Sequence, residues 1–175
     1  VVRSSKIVVR DRISNHEHRI WGEPLVLDSI TVKIKKVRDN SLDLPAYATA
    51  ASAGVDLCAD LKDSLTINPG ENVKIPTGLA IELPGPHVVA FVFARSGLAS
   101  RYGLGLTNGV GVIDSDYRGE IQVLLQNLGQ QAIIVNPGDR IAQMVFVPIF
   151  RADFEEVAEL EETDRGTGGF GSTGV

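Results

Sequence analysis

Within the 175-residue chain the densest concentration of reactive groups is Asp114-Ser115-Asp116-Tyr117-Arg118-Gly119. Two carboxylates follow an apolar run and precede a glycine, so a period of two puts Asp114 and Asp116 on one face just before a turn. Two readings stand for the pair: both carboxylates satisfy turn amides, or one serves as a water-orienting base for phosphoryl chemistry. A second set, Arg95-Ser96-Gly97, joins a cation, a hydroxyl and a glycine at the end of the longest apolar run, Val88 to Ala94. A helix beginning there would offer free N–H groups to an anion, which suits a di- or triphosphate. Ser96 as a plain helix cap is the simpler alternative. The third set is Arg165 to Val175, with five glycines in eleven residues. Gly166, Gly168 and Gly171 satisfy G-x-G-x-x-G, and Gly166 to Thr173 approaches the phosphate-loop pattern with Ser172 in the lysine position. No helix-forming segment follows in the sequence, so neither a Rossmann nor a Walker fold is expected. What survives is local chemistry: small residues that let main-chain N–H groups approach a phosphate, the hydroxyls of Ser172 and Thr173, and the guanidinium fork of Arg165. Ordering so many glycines costs backbone entropy, so the tail is intrinsically mobile and is either a dispensable end or a segment that orders over a ligand, the lone Phe170 and Arg165 favouring the second reading. His16-Glu17-His18 offers two metal ligands where zinc needs three or four, and the remaining histidine, His87, is far along the chain.

Composition narrows the field. With 43% apolar and 22% charged residues the chain is one ordinary globular domain. The longest apolar run is seven residues, well short of the roughly 20 that span a bilayer, and no secretory signal is recognisable. A lone Cys58 supports neither an internal disulfide nor a structural zinc site, so the fold rests on an apolar core; a cytoplasmic protein is expected, with nucleus or organelle matrix compatible. The net charge of −5 is concentrated: Asp153 to Asp164 holds seven acids and no base, leaving fifteen acids against seventeen bases elsewhere. No basic cluster stands out, which argues against a polymeric nucleic acid as partner.

The elements that must position these groups read as strands. From Ile30 onward, short segments rich in Val, Ile and Phe are punctuated by Gly and Pro. Ile30, Val32 and Ile34 alternate with Thr31, Lys33 and Lys35, a strand with one wet face. Further strands are expected at 72–75, 79–83, 87–94, 110–113, 120–127, 132–135 and 141–150. Asn68-Pro69-Gly70-Glu71 and Asn136-Pro137-Gly138-Asp139 repeat one pattern, with proline preset for a turn and glycine for positive φ, so two equivalent corners are expected. The Ser-Gly-Leu-Ala-Ser-Arg stretch after Arg95 lacks β-branched residues and is the one expected helix. The architecture is all-β and jelly-roll-like, divided as a 1–28 extension of unreadable role, a 29–152 β domain, a 153–164 acidic connector and a 165–175 glycine-rich lid.

Five segments in one order carry a resemblance: Ala53-Gly54-Val55-Asp56-Leu57, Arg95-Ser96-Gly97-Leu98-Ala99, Gly111 to Gly119, Gly138-Asp139-Arg140-Ile141-Ala142-Gln143, and Arg165 to Gly174. From Ile30 to Val175 the chain resembles the trimeric dUTPase family. The resemblance implies a β-clip jelly-roll subunit, a homotrimer with sites shared between chains, and magnesium-assisted hydrolysis of dUTP to dUMP and pyrophosphate, which limits uracil in DNA and supplies dUMP for thymidylate synthesis. It implies that Asp114 orients and deprotonates the water attacking the α-phosphorus, chiefly by position. Asp56 would hold waters of a magnesium that the phosphates chelate. Arg95, Ser96, Gly97 and Gln143 would hold the phosphates, with Arg165, Gly171, Ser172 and Thr173 closing over them. Uracil presents acceptor, donor, acceptor along its pairing edge. The amide of Asn108 can flip to suit either pyrimidine, so main-chain groups of a hairpin from Asn108 to about Gln122, around Gly111, Val112 and Ile113, would choose the base. Tyr117 would lie against the sugar and exclude a 2′-hydroxyl, and Phe170 would stack on uracil. Ala94 departs from the family's usual proline before Arg-Ser-Gly, with a modest effect expected. The alternatives are a dCTP deaminase of the same fold and a non-catalytic dUTP-binding module.

Overall fold

The computed structural model describes residues 29–169, together with the main chain of Val8–Arg10 (β1) and Glu17–Arg19 (β2), which pair antiparallel. The calls on Phe170, Gly171, Ser172 and Thr173, and on the side chains of His16 and His18, lie outside the described residues. Eleven further strands follow: Lys33–Lys36 (β3), Val55–Cys58 (β4), Leu65–Ile67 (β5), Asn72–Pro76 (β6), Leu79–Glu82 (β7), Val88–Ala94 (β8), Leu104–Leu106 (β9), Gly111–Ile113 (β10), Gln122–Asn127 (β11), Ile133–Val135 (β12) and Arg140–Pro148 (β13). One helix, Ser96–Tyr102 (α1), stands between β8 and β9, where it was expected. The all-β reading holds.

Two sheets carry the site. One runs β10-β8-β13-β4 and the other β6-β11-β9, with β12-β5 and β3-β7 as flanking pairs. Alternation sends Val55 and Leu57, Ala90 and Val92, and Ala142 and Met144 inward, where they meet Ile75, Leu104, Val123 and Leu125 of the second sheet in one core. The two Asn-Pro-Gly-acid corners are equivalent, with Gly70 at φ 78° and Gly138 at φ 81°. In each, the acid's carboxylate accepts the asparagine N–H at 2.8 Å.

Three expectations are corrected. The strands β4, β5 and β9 went unread because each is only three or four residues long, and β4 and β9 have glycine before or within them. The expected hairpin from Asn108 to Gln122 is not one: β10 pairs with β8, whereas β11 pairs with β6 and β9, so its two arms belong to different sheets. Asp114 and Asp116 do not share a face by strand alternation, because β10 ends at Ile113 and the Tyr117 N–H closes a turn on the Asp114 carbonyl at 3.1 Å.

Candidate functional site

The splitting of that hairpin produces a slot. β10 is an edge strand of its sheet, and β11 is joined by β9 only from Leu125 onward. The first residues of β11 therefore face β10 across a gap that neither sheet bridges. The gap is a cavity of about 300 Å³ lined by Asn108, Gly111, Val112, Ile113, Asp114, Tyr117 and Gln122, seven of the expected site residues. Lys74, Val92, Leu106, Glu120, Ile121, Val123 and Leu124 complete it. Gly111 lies so close to β8 that a Cβ would come 3.0 Å from Val92 Cβ. A strand edge left unpaired presents main-chain donors and acceptors in fixed alternation, which suits a planar ligand with alternating polar groups.

At the mouth of the slot, Asp114 is exposed and has no ion pair among the described residues. Neither Asp114 nor Asp116 accepts a turn amide through its carboxylate. Main-chain bonding and the Arg118 guanidinium, which donates to the carbonyls of Ser115 at 2.8 Å and Tyr117 at 3.1 Å, hold the turn instead. The Tyr117 ring folds over Gly119, where a Cβ would overlap the phenol oxygen, and its hydroxyl donates to the Glu120 carbonyl at 3.0 Å.

A second group gathers at the far corner of the four-stranded sheet. Register aligns Asp56 of β4, Gln143 of β13 and Phe93 of β8 on the outer face. A bulge between Arg140 and Ala142 lets Arg140 sit opposite Cys58 while Gln143 sits opposite Asp56. Without the extra residue, positions three apart would point to opposite faces. The result is a clamp: Arg95 Nε lies 2.8 Å from Asp56 Oδ1 and Arg140 Nη1 3.1 Å from Oδ2. Gln143 Nε2 donates to the Ala94 carbonyl at 3.1 Å. Arg95 is the residue before α1 and makes no side-chain cap, and neither does Ser96, so the simple capping reading of Ser96 falls; Ser96 and Gly97 are exposed. Two guanidiniums against one carboxylate leave net positive charge, which favours an anion. Burial, and next the charge of Asp56, push the neighbouring Cys58 thiol up from its ordinary value.

The two groups do not meet within one chain. Asp114 stands one residue beyond the Ile113–Ala90 pair, whereas Asp56 aligns with Phe93 three strands away. At about 3.3 Å per residue and about 4.8 Å per strand spacing, the main-chain positions of Asp114 and Asp56 are roughly 19 Å apart. Arg165 joins neither group: it is exposed and bonds the Gly168 carbonyl at 2.9 Å.

No group of three or more His, Cys, Asp or Glu side chains able to hold a metal occurs among the described residues. Asp56 stands alone, with each oxygen receiving one guanidinium and retaining a lone pair for water. It fits magnesium held through water and brought in by phosphates, and does not fit a protein-caged ion. Sequence reasoning assigned no role to Arg140, Glu120 or Lys74. Arg140 was visible in the Gly138 to Gln143 segment, but its partner Asp56 lies 84 residues away.

A family model described as dUTPase matches residues 40–174. The chain belongs to the dUTPase family. It is 64% identical over 150 residues to the deoxyuridine 5'-triphosphate nucleotidohydrolase of Desulfitobacterium hafniense, covering 85% of this chain and 99% of that one. The enzyme of the same name from Klebsiella pneumoniae (strain 342) is 49% identical over 150 residues, with the same coverage. Among solved structures, the dUTPase of Staphylococcus bacteriophage 80alpha with dUPNHPP superposes with a TM-score of 0.72 at 26% identity, over 84% of this chain and all of that one. The resemblance read from five segments, the all-β fold and the assignment to a family of nucleotide hydrolases are thereby borne out.

Proposed function

We propose that this dUTPase-family chain cleaves dUTP to dUMP and pyrophosphate by attack of water on the α-phosphorus. The observation that carries this reading is the slot, lined on one side by the edge strand β10 and holding among its lining residues a carboxylate, Asp114, with no ion pair among the described residues. Uracil would enter between β10 and β11, its acceptor, donor, acceptor edge meeting main-chain groups of Gly111 to Ile113, with Asn108 and Gln122 beside it. Tyr117 would lie flat against the deoxyribose. Asp114 would then face the α-phosphate. Its carboxylate takes a proton from water as the water oxygen bonds to phosphorus; the bond from phosphorus to the bridging oxygen breaks, and pyrophosphate leaves with that electron pair. The carboxylate acts chiefly through position.

The roughly 19 Å between Asp114 and Asp56 is what a site shared between chains requires. The end of the β domain and the connector support the same reading, since Phe150 and Phe154 are 95% and 97% exposed in the isolated chain and large apolar side chains favour burial against a partner. We infer a homotrimer in which the slot of one chain faces the Asp56–Arg95–Gln143 clamp of the next. Arg95, the N–H groups of Ser96 and Gly97, and Gln143 would hold the phosphates, and a third chain would supply Arg165 with Phe170, Gly171, Ser172 and Thr173. Asp56 would hold magnesium through water; when bound, that ion neutralises phosphate charge. The product dUMP would serve thymidylate synthesis, and removal of dUTP would keep uracil out of DNA. No helix among the described residues is long and apolar enough to cross a membrane, and with bacterial relatives the cytoplasm is the proposed location.

The test is pyrophosphate release from dUTP, dCTP, dTTP and UTP, each with magnesium and with chelator. Selective, magnesium-dependent cleavage of dUTP is expected. Ammonia release from dCTP would make the chain a deaminase, and tight dUTP binding without cleavage would make it a binding module.

A further inference from the structure

Arg38 lies just beyond β3, far in sequence from the slot, yet its guanidinium grips the carboxylate beneath it. Nη1 and Nη2 donate to Glu120 Oε1 at 2.8 and 2.6 Å, and Nε lies 3.1 Å from Asp60 Oδ2. The Gly78 N–H donates to the same Glu120 oxygen at 2.8 Å. The main chain of Glu120, in turn, accepts the Tyr117 hydroxyl. Glu120 therefore links a surface arginine, held by its side chain, to the Tyr117 ring, held by its main-chain carbonyl.

The two acids are poorly hydrated. The side chain of Asp60 is 10% exposed and that of Glu120 19%, and Asp60 Oδ2 has no hydrogen-bond partner to take the place of its ion pair with Arg38. Gly78, at φ 70°, passes so close that a Cβ would overlap Asn40 and Asp60. The neighbouring donor, Asn40 Nδ2, is itself unpartnered and can turn to Asp60, but it carries no charge and leaves Glu120 with the Gly78 N–H alone. Half-buried carboxylates deprived of their cation turn toward water, because leaving them unpaired costs more than the lost pair. For Glu120 that turn would strain the residue whose carbonyl tethers Tyr117, against the Ile121 N–H bond to the Leu79 carbonyl at 2.8 Å. A lysine has no planar fork and cannot serve both acids at once.

We propose that Arg38 is a specificity-determining positioning residue: acting through Glu120, it fixes the Tyr117 ring over the sugar position and so sets the discrimination against a 2′-hydroxyl. This rests on the reading of Tyr117 given above. The experiment compares kcat/KM for UTP and dUTP in the parent, Arg38→Met, Arg38→Lys, Glu120→Gln, Tyr117→Phe, Tyr117→Ala and the Arg38→Met/Tyr117→Phe double variant. Arg38→Met raises the UTP-to-dUTP ratio about fivefold, the factor one ordinary hydrogen bond supports. Tyr117→Phe, which keeps the ring and loses the tether, does the same, and the double variant adds nothing further, as expected for two steps on one path. Arg38→Lys recovers part of the discrimination. Should Arg38→Met fail to fold, Glu120→Gln carries the test with the same expected direction. A flat ratio in folded Arg38→Met, or a double variant in which the effects add, overturns the proposal, provided Tyr117→Ala raises the ratio. If Tyr117→Ala leaves the ratio flat as well, it is the sugar reading of Tyr117 that has failed.

Discussion

In the slot around Asp114 the groups proposed to read the base belong to the main chain of an edge strand, with the start of β11 on the other side. In the clamp around Asp56 the charge comes from side-chain tips, Arg95 from the end of β8 and Arg140 from the bulge in β13. The two constructions suit different tasks. Main-chain groups cannot rotate to accept a different hydrogen-bond pattern, so a slot built from them discriminates between bases. Guanidinium tips supply charge in a fork that matches phosphate without reading what the phosphate is attached to. The separation of the two by roughly 19 Å in one chain is the basis for the proposal that each half is completed by another chain.

The largest expected effect is at Asp114, the side chain proposed as the base. Asp114→Asn preserves shape while removing the base, so turnover of dUTP falls about 10²- to 10⁴-fold, with affinity for dUPNHPP nearly retained. Rapid-quench turnover and calorimetric binding measured on one preparation separate the two. Unchanged turnover would take the reaction away from the slot altogether.

Mixing tests whether the halves come from different chains. Asp114→Asn and Arg95→Ala chains are each expected to be inactive as pure trimers. Unfolded together in equal amounts and refolded, they form mixed trimers in which roughly a quarter of the sites join an intact slot to an intact clamp. Recovery of about that share of parental activity is expected from the same symmetry argument; activity no higher than that of the separate variants would mean that each chain completes its own site.

How much of this was legible in the sequence follows from the same contrast. Gly111 to Gly119 and Arg95 to Gly97 are contiguous, so residue types and spacing revealed them, as they did the twin Asn-Pro-Gly corners and the short helix after Arg95. The slot itself was hidden. Nothing local distinguishes a hairpin whose arms pair with each other from one whose arms are claimed by β8 on one side and by β6 and β9 on the other. Asp56 was found only by resemblance, because Val55–Cys58 is too short for alternation to register. The bulge at Arg140 was likewise invisible: it depends on how β13 meets β4, a partner more than eighty residues earlier. Arg38 gave no signal of any kind, since both of its carboxylate partners are remote in sequence.

Strand β4 sharpens the comparison at a finer scale, because one strand serves core and clamp on alternate residues. Leu57 is fully buried, and Leu57→Ala is expected to cost about 2–5 kcal/mol of stability through the cavity it leaves. Asp56→Asn, one residue away and facing outward, is expected to change stability far less and to weaken the dependence of turnover on magnesium. Chemical denaturation and a magnesium titration of the two variants give opposite patterns. If Asp56→Asn were the more destabilised of the two, the clamp would be a structural ion pair.

The smallest effect is expected at an ion pair that belongs to neither region and so calibrates both. Lys33 and Glu82 face each other across β3 and β7, with Nζ 2.9 Å from Oε1, on open surface. The hydrogen bond from Lys33, reinforced by its charge, holds the Glu82 carboxyl below its ordinary 4.5. A carboxyl whose pKa is lowered by folding takes up its proton first in the unfolded chain. The pair's contribution is therefore whole above about pH 4.5 and fades as pH falls through the lower, folded value. Lys33→Met should accordingly lower Tm slightly at pH 7, by an amount that shrinks with added salt and as the pH is taken progressively below about 4.5. The half-buried Asp56 clamp is less exposed to counterions, so the corresponding Arg140→Met variant should keep more of its deficit in salt. Thermal melts of both variants at two ionic strengths measure the difference, and equal salt sensitivity would mean that the clamp is solvated as freely as an ordinary surface pair.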